Sequence, residues 1–365
     1  MNKIKTIAFY LPQFHPIPEN DSWWGKGFTE WTNVAKAKPM FKGHYQPHVP
    51  ADLGFYDLRL PEAREAQAEL AKKYDISAFC YWHYWFGDGK RILEKPFNDV
   101  LNSGKPDLPF CLAWANESWS GIWHGNPKTV LMEQVYPGEQ DYIDHFNFLI
   151  PAFKDKRYFK VNEKPLFMVY KPQEIPDLAL FVNTFRNLAK MHGLAGIHLV
   201  ATNVELDWKA EEFGFDAITP AVHTKDSYLK SKNKWVDFTR RIKTSRLSKY
   251  YVKFFKRPTR IYEYADAIQT FDEDSHGNLY YPTVIPNWDN SPRSGLNGFV
   301  LHNSTPAHFK KALLNAKKCV ENYDDENKII FIKSWNEWAE GNHLEPDLKF
   351  GHQYLQVVKD VVNES

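Results

Sequence analysis

What most limits the fold of this chain is a rhythm of short apolar runs. Eight of them, at residues 6–11, 76–81, 109–113, 166–170, 197–202, 217–221, 283–286 and 329–332, are rich in β-branched and aromatic residues and too short for helices. Such runs read as buried strands. Helix-like patterns fall among them at 61–74, which opens on a proline, and at 140–154, 177–192, 306–323 and 352–362. Strands alternating with helices eight times predict an α/β protein, a single (β/α)8 TIM barrel spanning residues 1–365. An open doubly wound sheet is the alternative. It usually carries a glycine-rich phosphate loop after its first strand, and none occurs here.

Composition is compatible with one large core. The chain has 365 residues, 43% of them hydrophobic, and a net charge of +1, which argues against disorder. Cys80, Cys111 and Cys319 are widely spaced and form no Cys-x-x-Cys pair, so neither a disulfide framework nor a zinc site is implied. No stretch approaches the ~20 apolar residues of a membrane span. The first apolar stretch is too short for a signal peptide and leads straight into a strand pattern, so the sequence reads as cytoplasmic.

In a barrel of this kind the active site lies at the C-terminal ends of the strands. Nearly every run here ends in polar and aromatic residues: Gln13 and His15; Trp82, His83, Tyr84 and Trp85; Trp114, Asn116 and Glu117; Lys171; Asn203 and Glu205; His223; Asn287, Trp288, Asp289 and Arg293; Trp335, Asn336, Glu337 and Glu340. Indole and phenol faces stack on sugar rings, while Asn, Asp, Glu and His bind hydroxyls, so the set predicts a carbohydrate cleft. The 13 Trp residues fit a cleft or a core. Trp82, His83, Tyr84 and Trp114 are the expected aromatic floor, with packing into the core as their bland alternative. Asp289 and Arg293 are expected to contact substrate hydroxyls or anionic groups.

Two regions stand outside the repeat. Residues 16–57 form a long loop insertion over the active-site face, in which Glu30 and Trp31 are candidate contributors to a binding wall. A tryptophan-rich plug without a ligand role is the bland alternative. Residues 224–278 form a basic insertion whose first half carries Lys225, Lys230, Arg240, Arg246, Lys253 and Arg257 among other cations. It reads as a solvated amphipathic helix pair or as a contact for something anionic: an acidic glycan, a lipid-linked carrier or a peripheral membrane surface. No recognised nucleic-acid motif accompanies it, so no nucleic-acid partner is expected.

The last run leads into Lys333-Ser-Trp-Asn-Glu-Trp-Ala-Glu-Gly341. Glu337 and Glu340 point to opposite faces in a continuing strand but share one face in a helical turn, and Gly341 favours a bend. Two carboxyl groups facing one cavity split their proton affinities, so that one serves as acid and the other as base. A carboxylate favoured by a helix N-terminus is the bland alternative. Glu117, which follows a strand and an Asn, competes for the role of catalytic acid.

The segments Phe9-Tyr-Leu-Pro-Gln-Phe-His-Pro-Ile-Pro-Glu-Asn-Asp21 and Trp23-Trp-Gly-Lys-Gly-Phe-Thr-Glu-Trp-Thr-Asn33, with Asn287-Trp-Asp-Asn-Ser-Pro-Arg293 and Trp335-Asn-Glu-Trp-Ala-Glu-Gly341, strongly resemble the WbsX family of bacterial polysaccharide gene clusters. The resemblance covers essentially the whole chain. That family is similar in turn to glycoside hydrolase family 99, (β/α)8 barrels that cleave α-mannosidic bonds with retention and without metal. The resemblance implies that Glu340 is the general acid/base. It implies that Glu337 deprotonates the sugar's own 2-hydroxyl, which attacks the anomeric carbon to give a 1,2-anhydro intermediate. Glu340 then needs a raised pKa, and Glu337 must stay ionised. No metal or cofactor is expected.

Three functions are consistent with the sequence: a retaining glycoside hydrolase or transglycosylase acting on an α-linked, manno-type bacterial polysaccharide; a nucleotide-sugar glycosyltransferase of O-antigen or capsule synthesis; and a glycan-binding module. Against the second, no Asp-x-Asp metal motif is evident and the barrel is an unusual frame for nucleotide-sugar transfer. Two intact carboxylates argue against the third.

Overall fold

The computed structural model describes residues 4–121, 126–219, 256–267 and 277–364. The barrel strands are β1 (Lys5–Tyr10), β2 (Ala78–His83), β3 (Phe110–Trp114), β4 (Lys164–Val169), β5 (His198–Thr202), β6 (Ala217–Thr219), β7 (Thr283–Val284) and β8 (Ile329–Ile332). From β7 through β8 and β1 to β6 each strand pairs in parallel with the next, and β8 returns to β1 through Lys5↔Ile329 to Ala8↔Ile332. Between β6 and β7 the ring closes on two backbone bonds: Ile218 N–H donates to Leu279, and Tyr281 N–H to Ile218, both at 2.9 Å. The eight expected strands are the eight observed, each shifted by at most a few residues. Residues 220–221, expected to extend the sixth, lie outside the described residues.

Helices cover the outside: α1 (Pro61–Lys73), α2 (Lys95–Ser103), α3 (Glu139–Phe153), α4 (Leu178–Met191), α5 (Pro306–Val320) and α6 (Gln353–Asn363). Helix α2 was not expected, because it offers few turns of periodicity. Its signals are Pro96 in the first turn and Gly104, whose φ of 70° ends it. Segments on both sides of β7 in the chain make a small second sheet in which Phe299–His302 pairs with both Arg260–Glu263 and Trp288–Asp289. Among the described residues no helix is long and apolar enough to cross a membrane.

The 16–57 insertion is a strap, and it holds two short helices, Pro18–Trp24 and Glu30–Lys36, rather than loop alone. It is pinned from end to end. Trp31 Nε1 donates to the Tyr56 carbonyl at 2.8 Å, and Ala51 N–H to the Pro346 carbonyl at 2.9 Å. Most of the basic segment (residues 224–255 and 268–276), with His223 before it, lies outside the described residues. The described stretch after it packs on the strap and the second sheet: the Arg257 guanidinium stands 4.8 Å from the Phe41 ring centre, and Arg260 stands 5.0 Å from Phe299.

Strap and barrel also share a buried carboxyl. Glu345 takes hydrogen bonds from Trp338 Nε1 (2.6 Å), Tyr56 Oη (2.8 Å) and Gln67 Nε2 (2.6 Å). Burial pushes its pKa up to about 7 despite these donors. The folded state then holds this proton more tightly than the unfolded chain does. Stability contributed by it is present below the unfolded value and is lost as pH rises to about 7. Glu345→Gln is therefore expected to flatten the fall in stability between pH 5 and 7 by about 1 kcal/mol per pH unit, measured by urea unfolding across that range.

Candidate active site

Residues 336–343 fold into a tight hairpin. Asn336–Glu337 pairs antiparallel with Asn342–His343, and a 3-10 turn, Trp338–Glu340, joins them. Gly341 completes the turn with φ of 60°, and a Cβ there would sit 3.0 Å from Cβ and 3.1 Å from N of Asp289. Both the backbone conformation and the close approach require glycine. The turn carries Glu337 and Glu340 to one side, where their carboxyl groups hydrogen-bond each other.

Each carboxyl has its own partners. Glu337 is 5% exposed and accepts a bond from Trp82 Nε1 at 2.9 Å. Glu340 accepts from Arg293 Nη1 at 2.6 Å. The same guanidinium donates from Nε to Glu30 Oε2 at 3.0 Å, so Arg293 joins the strap to the hairpin from within a buried site. Lys333, one residue past β8, holds its ammonium 5.0 Å from the Trp288 ring centre and 5.9 Å from that of Trp82, and acts on both carboxyl groups.

This arrangement reverses the protonation expected from sequence. Burial pushes Glu337 up to about 7; Lys333 opposes that shift and Glu340 reinforces it. Burial also acts on Glu340, but Arg293, Lys333 and the bond from Glu337 together outweigh it and hold Glu340 below the ordinary glutamate value. Of the two, Glu337 therefore holds a proton more tightly than Glu340.

Strand alternation sorts the aromatic candidates. Trp82 points into the barrel, stacked on Phe9 at 5.0 Å and edge-on to Tyr170 at 5.6 Å. His83 points outward, with Nε2 2.9 Å from His145 Nε2 and its ring stacked on Phe148. Tyr84 turns inward again, near Glu337 and edge-on to Trp119 at 5.3 Å. Trp119 meets Trp23 of the strap at 5.9 Å, which extends this wall. Trp288 lies beneath Lys333.

Several expected contacts are structural instead. Trp114 is 1% exposed and packs outward between His145 and Phe181, donating to the Trp85 carbonyl at 2.8 Å. Trp335 is wholly buried against Phe79. Asn336 clips β1 to the hairpin, accepting from Leu11 N–H at 2.7 Å and donating to the Leu11 carbonyl at 3.0 Å. Asn116 does the same for the Lys171 backbone at 2.8 Å in both directions, and Glu117 pairs with Lys171 Nζ at 2.8 Å. Trp31 lies between Phe14, Tyr56 and Trp338.

Asp289, expected to meet substrate, is 2% exposed and fully engaged. Its Oδ2 receives His44 Nε2 (2.6 Å) and Gln46 Nε2 (2.7 Å), and its Oδ1 the Ser291 N–H (2.9 Å). Asn287 lines a neighbouring cavity with His44 and His302 rather than the carboxylate pair. Lys333, Tyr170 and Trp119 were missed from sequence. The position of Lys333 at the very end of the last strand was the signal for it.

The eight-stranded parallel barrel thus holds a buried carboxyl pair, a bridging arginine and indoles at its C-terminal mouth, the face on which barrel enzymes carry their active sites. Residues 6–358 match the family described as "Glycosyltransferase WbsX", and the chain belongs to that family, one of carbohydrate-active enzymes by its description. Two proteins of Xanthomonas campestris pathovar campestris, named WxcX and described as uncharacterized, are 36% identical over 98% of this chain and 50% of their own length. The chain thus spans about half the length of the curated relatives it matches. Among solved structures, an endo-alpha-mannosidase of glycoside hydrolase family 99 from Bacteroides thetaiotaomicron, in complex with BIS-TRIS-propane, superposes with a TM-score of 0.58 at 15% identity, covering 98% of this chain and 96% of that one. A "glycoside hydrolase-like protein" gives 0.58 at 14%, covering 100% and 95%. At such identities the likeness shows the fold.

Because Asp289 accepts from two strap side chains, Asp289→Ala leaves His44 and Gln46 buried without an acceptor. A loss of about 2–4 kcal/mol is expected. Urea unfolding together with accelerated proteolysis within residues 37–50 measures it. Unchanged cleavage would mean that the strap is held without this latch.

Proposed function

We propose that this chain is a retaining glycoside hydrolase or transglycosylase acting on an α-linked, manno-type bacterial glycan through Glu337 and Glu340. The observation that carries the reading is a pair of facing carboxyl groups at the mouth of the barrel whose proton affinities are pushed apart, Glu337 up and Glu340 down. Such a pair already contains one acid and one base. The roles implied by the resemblance need the proton on Glu340, one transfer along the existing hydrogen bond. Glu340 then protonates the departing glycosidic oxygen while Glu337 takes the proton of the sugar 2-hydroxyl. O2 bonds to the anomeric carbon as the bond to the leaving group breaks, giving a 1,2-anhydro sugar. Water or a glycan hydroxyl then attacks the anomeric carbon, surrendering its proton to Glu340, while the bond from that carbon to O2 breaks and O2 takes back the proton held by Glu337.

The surroundings favour a neutral sugar ring at the pair. Arg293 and Lys333 supply two positive charges, and Glu30 and ionised Glu340 supply two negative ones, with Glu337 protonated. Trp82, Tyr84 and Trp288 offer ring faces. An anionic or lipid-linked portion of the substrate would be bound elsewhere on the protein.

Glycosyl transfer from a nucleotide sugar is the second reading, favoured by the description of the family. Mass spectrometry of α-linked oligosaccharides incubated with the protein, with and without nucleotide sugars, separates the two. Cleavage or transfer without a nucleotide is expected, and extension that depends on one would overturn the glycosidase reading. Glu340→Gln and Glu337→Gln are each expected to lower kcat by about 10²–10⁴ while glycan binding persists. Near-normal turnover of either variant removes that residue from the chemistry.

The proton inventory also sets a pH profile. Activity needs one proton on the pair, so it falls as pH rises past about 7 and again, on the acid side, once Glu340 is protonated. Arg293→Met removes the cation that holds Glu340 low. It is expected to move the acidic limb of kcat/KM upward by about 1–3 pH units and to leave the alkaline limb nearer its place. An unmoved acidic limb would separate Arg293 from the titration of the pair.

A further inference from the structure

Strap and hairpin meet a second time, away from Arg293. Strap residues 49–51 pair with 346–348: Leu348 N–H donates to the Val49 carbonyl at 3.0 Å, and Ala51 N–H to that of Pro346 at 2.9 Å. His48 immediately precedes this pairing, Asp347 lies within it, and His343 ends the hairpin. All three are buried, at 3%, 4% and 7% exposure.

The ring nitrogens of His343 can be assigned. Its Nδ1 stands 2.9 Å from the Glu345 carbonyl oxygen, which only accepts, so Nδ1 carries the proton. Its Nε2 is left with a lone pair, 2.9 Å from His48 Nδ1 and 3.9 Å from Asp347 Oδ2. An imidazole whose far N–H is tied to a carbonyl, with the free lone pair facing other donors, is the usual arrangement of a metal-ligating histidine. One ligand atom from each of the three residues lies within 4.8 Å of the others. Tetrahedral ligands about 2.1 Å from zinc stand about 3.4 Å apart, and the two separations above straddle that figure.

The surroundings hold these groups in place. Asp347 Oδ1 takes the N–H groups of Lys349 (3.0 Å) and Phe350 (2.6 Å), which leaves Oδ2 toward His343. Tyr45 stacks on His48 at 4.2 Å and hydrogen-bonds Asp347. The nearby Lys349 ammonium lies over the rings of Tyr45 and Phe350 at 4.3 and 4.7 Å. Burial, reinforced by His343, keeps His48 neutral, and burial does the same for His343, so neither ring need lose a charge to bind a cation.

We propose that His48, His343 and Asp347 form a structural site for a divalent transition metal of the zinc class, stapling the strap to the hairpin that carries Glu337 and Glu340. Two imidazoles and one carboxylate suit zinc far better than magnesium or calcium. Binding requires His48 to shift its proton from Nδ1 to Nε2, which frees Nδ1 as a ligand. The ring of His343 stacks on Trp338 at 3.7 Å, so the metal would fix the orientation of the turn between the two glutamates. The site is independent of the function proposed above.

The test uses untagged full-length chain stripped by a chelator and dialysed. Zinc is titrated by calorimetry with elemental analysis, cobalt by its visible ligand-field absorption, and magnesium as a competitor. Wild type is expected to take one equivalent of zinc that magnesium does not displace, and zinc should raise its Tm. His343→Gln is expected to lose that equivalent, and the near-isosteric Asp347→Asn to bind it about 10–100-fold more weakly. The wild-type titration stands even if a variant fails to fold. No stoichiometric uptake by wild type, or uptake unchanged in both variants, would overturn the proposal and leave His48 and His343 as a plain hydrogen-bonded pair.

Discussion

Arg293 is the point on which the mouth of this barrel depends. Its guanidinium sits in a buried site between Glu30 of the strap and Glu340 of the hairpin, at 3.0 and 2.6 Å. A buried charge is tolerated only when its partners are in place, and removing one partner from such a set generally costs about 3–5 kcal/mol. Glu30 lies 263 positions before Arg293 and Glu340 lies 47 after it, so the ion set forms only when strap, second sheet and hairpin are assembled together. The same contact bears on the carboxyl pair. The Arg293 charge helps hold Glu340 below the ordinary glutamate value, so the geometry of the strap enters the proton affinities of both groups.

The strap is therefore more than a cover. It is attached through different physics at each crossing: an ion pair at Glu30, a carboxylate latch from Asp289 to His44 and Gln46, backbone pairing at Ala51, and a buried carboxyl at Glu345 that joins Tyr56 to Gln67 and Trp338. None of these contacts is apolar packing alone. Directional bonds fix register where a hydrophobic surface would let a long segment slide.

The fold was legible in the sequence because barrel strands are buried on both faces and stand out as apolar runs between polar ends. All eight were found, while the short helix α2 was not. The carboxylate pair was legible because both members lie within four residues of each other next to the last strand. The remainder of the site was only half legible. Trp82, His83 and Tyr84 looked equivalent as a cluster, but a strand sends alternate side chains to opposite faces, and only the first and third reach the mouth. Asp289 looked like a substrate ligand because its partners, His44 and Gln46, are some 245 residues away and invisible to local reading. The split in proton affinity between Glu337 and Glu340 depends on Arg293 and Lys333, which meet the pair only in three dimensions. His48 and His343, 295 residues apart, escape any spacing rule for metal sites.

The pinning of the strap has a consequence for biosynthesis. Residues 16–57 leave the ribosome well before the groups that hold them, which run from Asp289 to Asp347. Until then the barrel lacks its closing strand, the tryptophan-rich strap has no seat, and its apolar side chains are open to wrong partners. Folding of this chain is governed by contacts of very long sequence separation, which are slow to form. A nascent or truncated chain ending before the last strand would have neither a closed ring nor a seat for the strap, so the carboxyl pair and its arginine would come together abruptly once β8 and the hairpin are added rather than building up with chain length.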